Sequence, residues 1–176
     1  MENTSENRVD LSKVEIRPLD PDLGRAAFSC GHQRIDNFCK NNAKKQHSQN
    51  KVRVYDAIFD GGLIGYYYLV AASNPPEEVS EVANEKFGRV KQAPCVYLGM
   101  VGVDEKFKGQ SVGKLLMSHA MKTTLQVADL IGLYALTLHA VDAEVAKFYE
   151  KLGFEYFIDG DLAMFIPLAT IRDSFS

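Results

Sequence analysis

The chain has 176 residues, 46% of them hydrophobic and 24% charged, with a formal net charge of −3. Such a chain is long enough to bury a core as one domain without disulfides or metal. Its composition excludes a disordered protein and a polycation built as a whole for nucleic acid. Cys30, Cys39 and Cys95 are odd in number and lack the C-x-x-C spacing of a zinc or redox site. The start of the chain is too polar for a signal peptide, and the longest apolar stretch, Leu63 to Ala72, is too short to span a bilayer. A reduced, cytoplasmic protein is the expectation.

Residues 1–13 read as a polar tail and residues 14–168 as the domain. Val14 to Leu19 alternates and stops at Pro18, as a first strand with its turn. Phe28 to Lys51 is polar and largely helical, with Ile35, Phe38, Cys39 and Asn42 at helical spacing. Val52–Phe59 and Leu63–Ala72 are apolar runs joined by Asp60-Gly61-Gly62, a hairpin signal. Asn74-Pro75-Pro76 opens a polar excursion to about Gln92, a surface loop or short helix. Pro94 to Asp104 is the next strand, followed by a Gly-bearing loop and a helix whose Val112, Leu115, Leu116, His119, Ala120 and Thr123 share one face. Tyr134 to Ala140 is another strand. Asp142 is a candidate N-cap for a helix with Val145, Phe148, Tyr149 and Leu152 on its apolar face, ended by Gly153. Phe154–Ile158 and Ala163–Pro167 suggest a last hairpin around Asp159-Gly160-Asp161, and residues 169–176 are left as a tail. Strand–helix–strand units in the second half imply parallel neighbours, and the hairpins imply an antiparallel part. The expected fold is α/β: a single domain with a mixed central sheet flanked by helices.

The chemistry concentrates where the strand ending near Asp104 runs into a loop and a helix start. Loop amides without helical partners, backed by the helix dipole, make an anion site. Gly109 and Gly113 let the backbone come close to a phosphate, and Lys106, Lys108 and Lys114 add positive charge. A pyrophosphate is the natural guest, although the same glycines suit a plain strand-to-helix turn.

The run Val103-Asp104-Glu105-Lys106-Phe107-Lys108-Gly109-Gln110-Ser111-Val112-Gly113-Lys114-Leu115-Leu116 resembles the acetyl-CoA pyrophosphate motif of the GNAT N-acetyltransferases. Lys108 stands where that motif usually has Arg or Gln, and Ser111 replaces its middle glycine. Ala146-Lys147-Phe148-Tyr149-Glu150-Lys151-Leu152-Gly153-Phe154 is similar to the family's late tyrosine helix. The resemblance implies a splayed parallel strand pair in the sheet, acetyl-CoA as cosubstrate and no metal. It implies cofactor contacts from Val101, Val103, Lys108, Gly109, Gln110, Ser111, Val112, Gly113, Lys114, Asp142 and Tyr149. Tyr149 would protonate the departing CoA thiolate, as a tyrosine with an unperturbed pKa of about 10 is suited to do, and a backbone amide near Met100 or Val101 would hold the thioester oxygen. An aromatic on an apolar helix face is also commonly core, and Gly99 and Gly102 suit either a bulge that opens the slot or ordinary packing.

Phe28-Ser29-Cys30-Gly31, Ile35-Asp36-Asn37-Phe38, Gly65-Tyr66-Tyr67-Tyr68-Leu69, Leu98-Gly99 and His139-Ala140-Val141-Asp142 look like the acetyltransferase toxins of bacterial toxin–antitoxin pairs, which acetylate the amino group of aminoacyl-tRNA. This branch usually has an arginine where Met100 follows the Leu-Gly pair. Arg34, Lys40, Lys44, Lys45, Lys51 and Arg53 face the single acid Asp36 between His32 and Arg53, a basic stretch able to follow phosphates or to be a solvated helix face. The resemblance implies aminoacyl-tRNA and a ribbon-helix-helix antitoxin as partners, with a homodimer left open. A small-molecule amine, a protein amino group, or CoA binding without catalysis are the alternatives. His32, His47, His119 and His139 lack metal-ligand spacing.

Overall fold

The computed structural model describes residues 8–158 and 160–176. Its strands are hydrogen-bonded in the order β1-β2-β3-β4-β5-β7-β6, with β1 at Glu15–Pro18, β2 at Arg53–Phe59, β3 at Gly62–Asn74, β4 at Ala93–Val103, β5 at Ala135–His139, β6 at Glu155–Tyr156 and β7 at Ala163–Pro167. The sheet is mixed: β4 and β5 run parallel, while β1–β2, β2–β3, β5–β7 and β6–β7 are antiparallel. Asp159, in the last expected turn, lies outside the described residues, as do residues 1–7. By packing, the chain divides into two compact units.

One unit holds the residues up to Leu69 together with Met100–Ala120. Its β2–β3 hairpin closes at Asp60 and Gly61, whose φ angles of +49° and +73° are the left-handed pair that matches strand twist in a tight turn. The polar helical stretch is α1 (Gln33–Asn37), a π-helical turn (Phe38–Asn42) and α2 (Ala43–Ser48). Ile35, Phe38, Cys39 and Ala43 are buried beneath it. Phe38 stacks on Tyr66 at 6.1 Å between ring centroids, Phe28 meets Tyr66 edge-on at 5.5 Å, and the Tyr66 hydroxyl donates to the Ile35 carbonyl at 2.7 Å. Arg25 and Asp56 form an ion pair buried in the same unit.

The other unit holds Val70–Gly99 and Met121–Ser176. The polar excursion after Asn74 is two short helices, α3 (Pro76–Val79) and α4 (Glu81–Phe87). Their Val79 and Ala83 join Ala93, Cys95, Tyr134, Ala135, Phe157 and Phe165 in one apolar cluster. The β4–β5 register runs from Cys95↔Ala135 to Leu98↔Leu138.

The helix after the Gly-bearing loop is α5 (Val112–Ala128). Val112, Leu116, Met117, Ala120, Met121 and Thr124 are its buried residues, while the expected Leu115, His119 and Thr123 are half-buried. The inward stripe is therefore turned by about one residue from the one read in the sequence. Residues 169–176, read as a tail, belong mostly to a helix, α7 (Leu168–Ser174), that buries Leu168 and Ile171. Only two apolar residues anchor it, too few to make a periodic signal in the sequence. Among the described residues no helix is long and apolar enough to cross a membrane.

Candidate active site

Strand β4 ends at Val103, and Asp104 caps the following 3₁₀ turn (Glu105–Phe107) by accepting the Lys106 amide on Oδ1 at 3.0 Å. The loop then turns through two left-handed residues, Gly109 at φ +75° and Ser111 at φ +67°, before α5 starts at Val112. A Cβ on Gly109 would meet nothing within 4 Å, so glycine is required there by the backbone angle and leaves open space beside the loop. Ser111 holds the same kind of angle with a side chain, a strain on the order of 1 kcal/mol. The first amides of a 17-residue helix, with its dipole behind them, face that loop. Gln110 uses its side-chain oxygen to accept the Val9 amide at 2.8 Å, which ties the start of the chain to the loop.

The three loop lysines are all exposed. The Lys108 ammonium donates to the carbonyl of Cys30. Met100, Val101 and Val103 are half-buried on β4, and Gly102 lets Ile35 and Phe28 pack directly on that strand, since a Cβ there would sit 2.8 Å from the Ile35 methyl.

Tyr149 lies on α6 (Ala143–Lys151), the helix that Asp142 caps by accepting the Val145 amide on Oδ1 at 2.8 Å. Its ring packs against Phe148 at 5.4 Å and Phe154 at 5.7 Å, and only 7% of the residue is exposed. Burial, and secondarily Tyr97, pushes the phenol up to about 12, so the unperturbed acidity expected from the sequence does not hold. The group stays protonated through the neutral range and donates only to a strongly developing negative charge. Asp142 is exposed and committed to its cap, where the sequence suggested a cofactor contact.

Three of the histidines have a ring nitrogen against another polar group. His119 Nδ1 is 2.6 Å from the Tyr67 hydroxyl, and His47 Nδ1 accepts the Val54 amide at 3.1 Å. His139 Nδ1 lies 3.1 Å from the Ala140 carbonyl. Among the described residues no three His, Cys, Asp or Glu side chains converge to hold a metal.

The basic stretch keeps its charge on the outside. Arg34, Lys40, Lys44, Lys45, Lys51 and Arg53 are all exposed. Asp36, the acid among them, is turned inward, where its Oδ1 accepts the Cys30 amide at 2.8 Å.

The model of the GNAT acetyltransferase domain matches residues 51–156, which include the loop, β4 and the tyrosine helix. The chain is a GNAT acetyltransferase. It is 32% identical over 175 residues to a probable toxin TacT of Sinorhizobium fredii, covering 92% of this chain and 94% of that protein. It is 30% identical over 134 residues to a tRNA-acetylating toxin of Mycobacterium tuberculosis, covering 73% of this chain and 76% of that one. Among solved structures, AtaTR bound with acetyl-CoA superimposes with a TM-score of 0.83 at 25% identity, covering 94% of this chain and 100% of that one. Within this GNAT acetyltransferase the sequence did not reveal the Ser29 amide bonded to Asp104, the Glu105 amide bonded to the Ser29 carbonyl, or the Tyr67–His119 pair. Each joins residues far apart in the chain, and no local pattern carries such a partner.

Proposed function

We propose that this chain transfers the acetyl group of acetyl-CoA directly to the amino group of an aminoacyl-tRNA, as a cytoplasmic toxin held in check by an antitoxin. The observation that carries the choice of acceptor is the exposed run of six cations whose one acidic neighbour is turned inward. A small amine needs no such surface, whereas a polyanion gains from every exposed cation along its backbone. The names of the two relatives, the structure of AtaTR bound with acetyl-CoA and that of the AtaT toxin bound to its antitoxin AtaR support the same reading.

In this reading the amides of Gly109, Gln110, Ser111, Val112 and Gly113 receive the cofactor's pyrophosphate, with Lys114 beside them, and Val101 and Val103 line the pantetheine. The Met100 or Val101 amide holds the oxygen of the thioester as the neutral amine attacks its carbonyl carbon. The C–S bond breaks, the sulfur leaves with the electron pair and takes the Tyr149 proton, and the proton shed by the attacking nitrogen passes to solvent, from which Tyr149 is reprotonated. Holding both substrates in one complex removes much of the entropic barrier.

The test uses labelled acetyl-CoA with charged tRNA, uncharged tRNA and free amines side by side. Label on charged tRNA alone is the expected result. Label on free amines or on protein amino groups overturns the acceptor, and acetyl-CoA binding with no label on any amine overturns the catalysis.

A further inference from the structure

We propose that Lys108 is a positioning residue for the acceptor and not a ligand of the cofactor's diphosphate. This rests on the acceptor reading above. Ser29 and Cys30 are joined through Gly31 and His32 to α1, the helix that begins the cationic stretch, and all four of their backbone polar groups are held. The Ser29 amide donates to Asp104 Oδ2 at 3.2 Å, and the Ser29 carbonyl accepts the Glu105 amide at 2.8 Å. The Cys30 amide donates to Asp36, and the Cys30 carbonyl accepts the Lys108 ammonium. Three of these four bonds come from residues 104–108, the approach to the cofactor loop.

His32, at the N-cap position of α1, makes no side-chain cap bond. Gly31 is left-handed at φ +89°, and it lies directly under Glu105 and Lys108. A Cβ there would be 2.7 Å from the Glu105 carboxylate oxygen and 3.6 Å from the Lys108 ammonium. The carboxylate beside Gly31 also offsets the pull that Lys108 would exert on a phosphate. A lysine is a point charge, so an ammonium anchored on a carbonyl keeps two donors but offers a diphosphate none of the forked geometry of arginine. What Lys108 fixes is the direction in which α1 leaves the loop, and with it Arg34 and the cations that follow.

The experiment uses the full chain as wild type, Lys108→Met and Lys108→Arg. Calorimetry gives the acetyl-CoA Kd, and label transfer to total charged tRNA gives kcat and KM. In Lys108→Met the acetyl-CoA Kd stays within about twofold while KM for charged tRNA rises roughly tenfold, the scale of one charged hydrogen bond. Lys108→Arg, which still donates to Cys30, restores KM. Gly31→Ala disturbs the same turn with the Lys108 side chain retained, raises the same KM, and carries the test if Lys108→Met melts early. Acetyl-CoA binding weakened about tenfold with KM unchanged, or no change in either constant, overturns the proposal. If the wild type labels no charged tRNA, the acceptor reading fails by itself. The acetyl-CoA Kd of Lys108→Met then still decides whether Lys108 binds the diphosphate.

Discussion

Asp142 Oδ1 accepts the Val145 amide at 2.8 Å at the start of the helix that carries Tyr149. The carboxylate is exposed, so its worth is that of an ordinary cap, about 1 kcal/mol. Asp142→Ala should lower Tm by roughly 2–4 °C, and Asp142→Ser should recover most of it. Thermal unfolding of the two variants checks this. An Asp142→Ala protein that melts with the wild type but loses acetyl-CoA affinity would return Asp142 to the cofactor.

Tyr149→Phe keeps the ring and removes the hydroxyl that carries the proton. Turnover should fall by about 10²- to 10³-fold with the acetyl-CoA Kd unchanged within about twofold. Since burial raises this phenol to about 12, wild-type activity should climb as the acceptor amine loses its proton and then stay level to about pH 10. A fall in kcat between pH 8 and 10, absent from Tyr149→Phe, would mean the phenol ionises far earlier than its surroundings dictate.

The thiols of Cys30, Cys39 and Cys95 are each pushed up to about 11 by burial. In the unfolded chain they ionise near 8.5, so above that pH the unfolded state sheds protons the native state keeps. Their contribution to stability is complete below about pH 8 and drains away as pH rises toward 11, at up to about 1.4 kcal/mol per pH unit for each thiol. The urea midpoint should therefore drop between pH 8 and 10 under reducing conditions. A triple Cys→Ala variant should show a flatter profile over the same window.

Arg25 and Asp56 are buried together, and among the described residues the Arg25 Nε and Asp56 Oδ1 atoms have no partner. Removing one member leaves the other charged and unpaired, so Arg25→Met or Asp56→Leu should each cost about 3–5 kcal/mol. The double variant should lose less than either single change, because the desolvation penalty disappears with the pair. Denaturant unfolding of all three is the measurement, and strictly additive losses would refute it.

Ser111→Gly should stabilise the loop by on the order of 1 kcal/mol, since glycine takes φ +67° without strain. Acetyl-CoA binding followed by calorimetry should be unchanged or tighter. Weaker binding would mean the hydroxyl itself holds the cofactor.

Much of this was legible in the residues. Asp60-Gly61-Gly62 announced its hairpin, Asp142 and Gly153 bracketed the tyrosine helix, and Gly109 marked the turn into α5. These signals are local: a backbone angle or an orphan amide demands a particular residue within a few positions. What stayed hidden was long-range. The partner of Lys108 is Cys30, 78 residues away, and nothing near either residue specifies it. The acidity of Tyr149 was misjudged for a similar reason, because it depends on the rings of Phe154 and Tyr97 and on how completely water is excluded. The helix Leu168–Ser174 escaped because two buried side chains make no period.

The π turn at Phe38–Asn42 has one more consequence. It adds a residue to what would otherwise run as one α-helix from Gln33 to Ser48, and each residue of an α-helix advances the azimuth by about 100°. Deleting a single residue within it would spare every charge and most of the helix. With the turn restored to α geometry, Lys44 and Lys45 would keep nearly their present azimuth relative to Arg34, because the wider π turn absorbs about one residue's advance, and Ala43, now fully buried, would keep its seat. The π turn thus lets the stretch carry one more residue without rotating its cations, a change of length that leaves their phase alone.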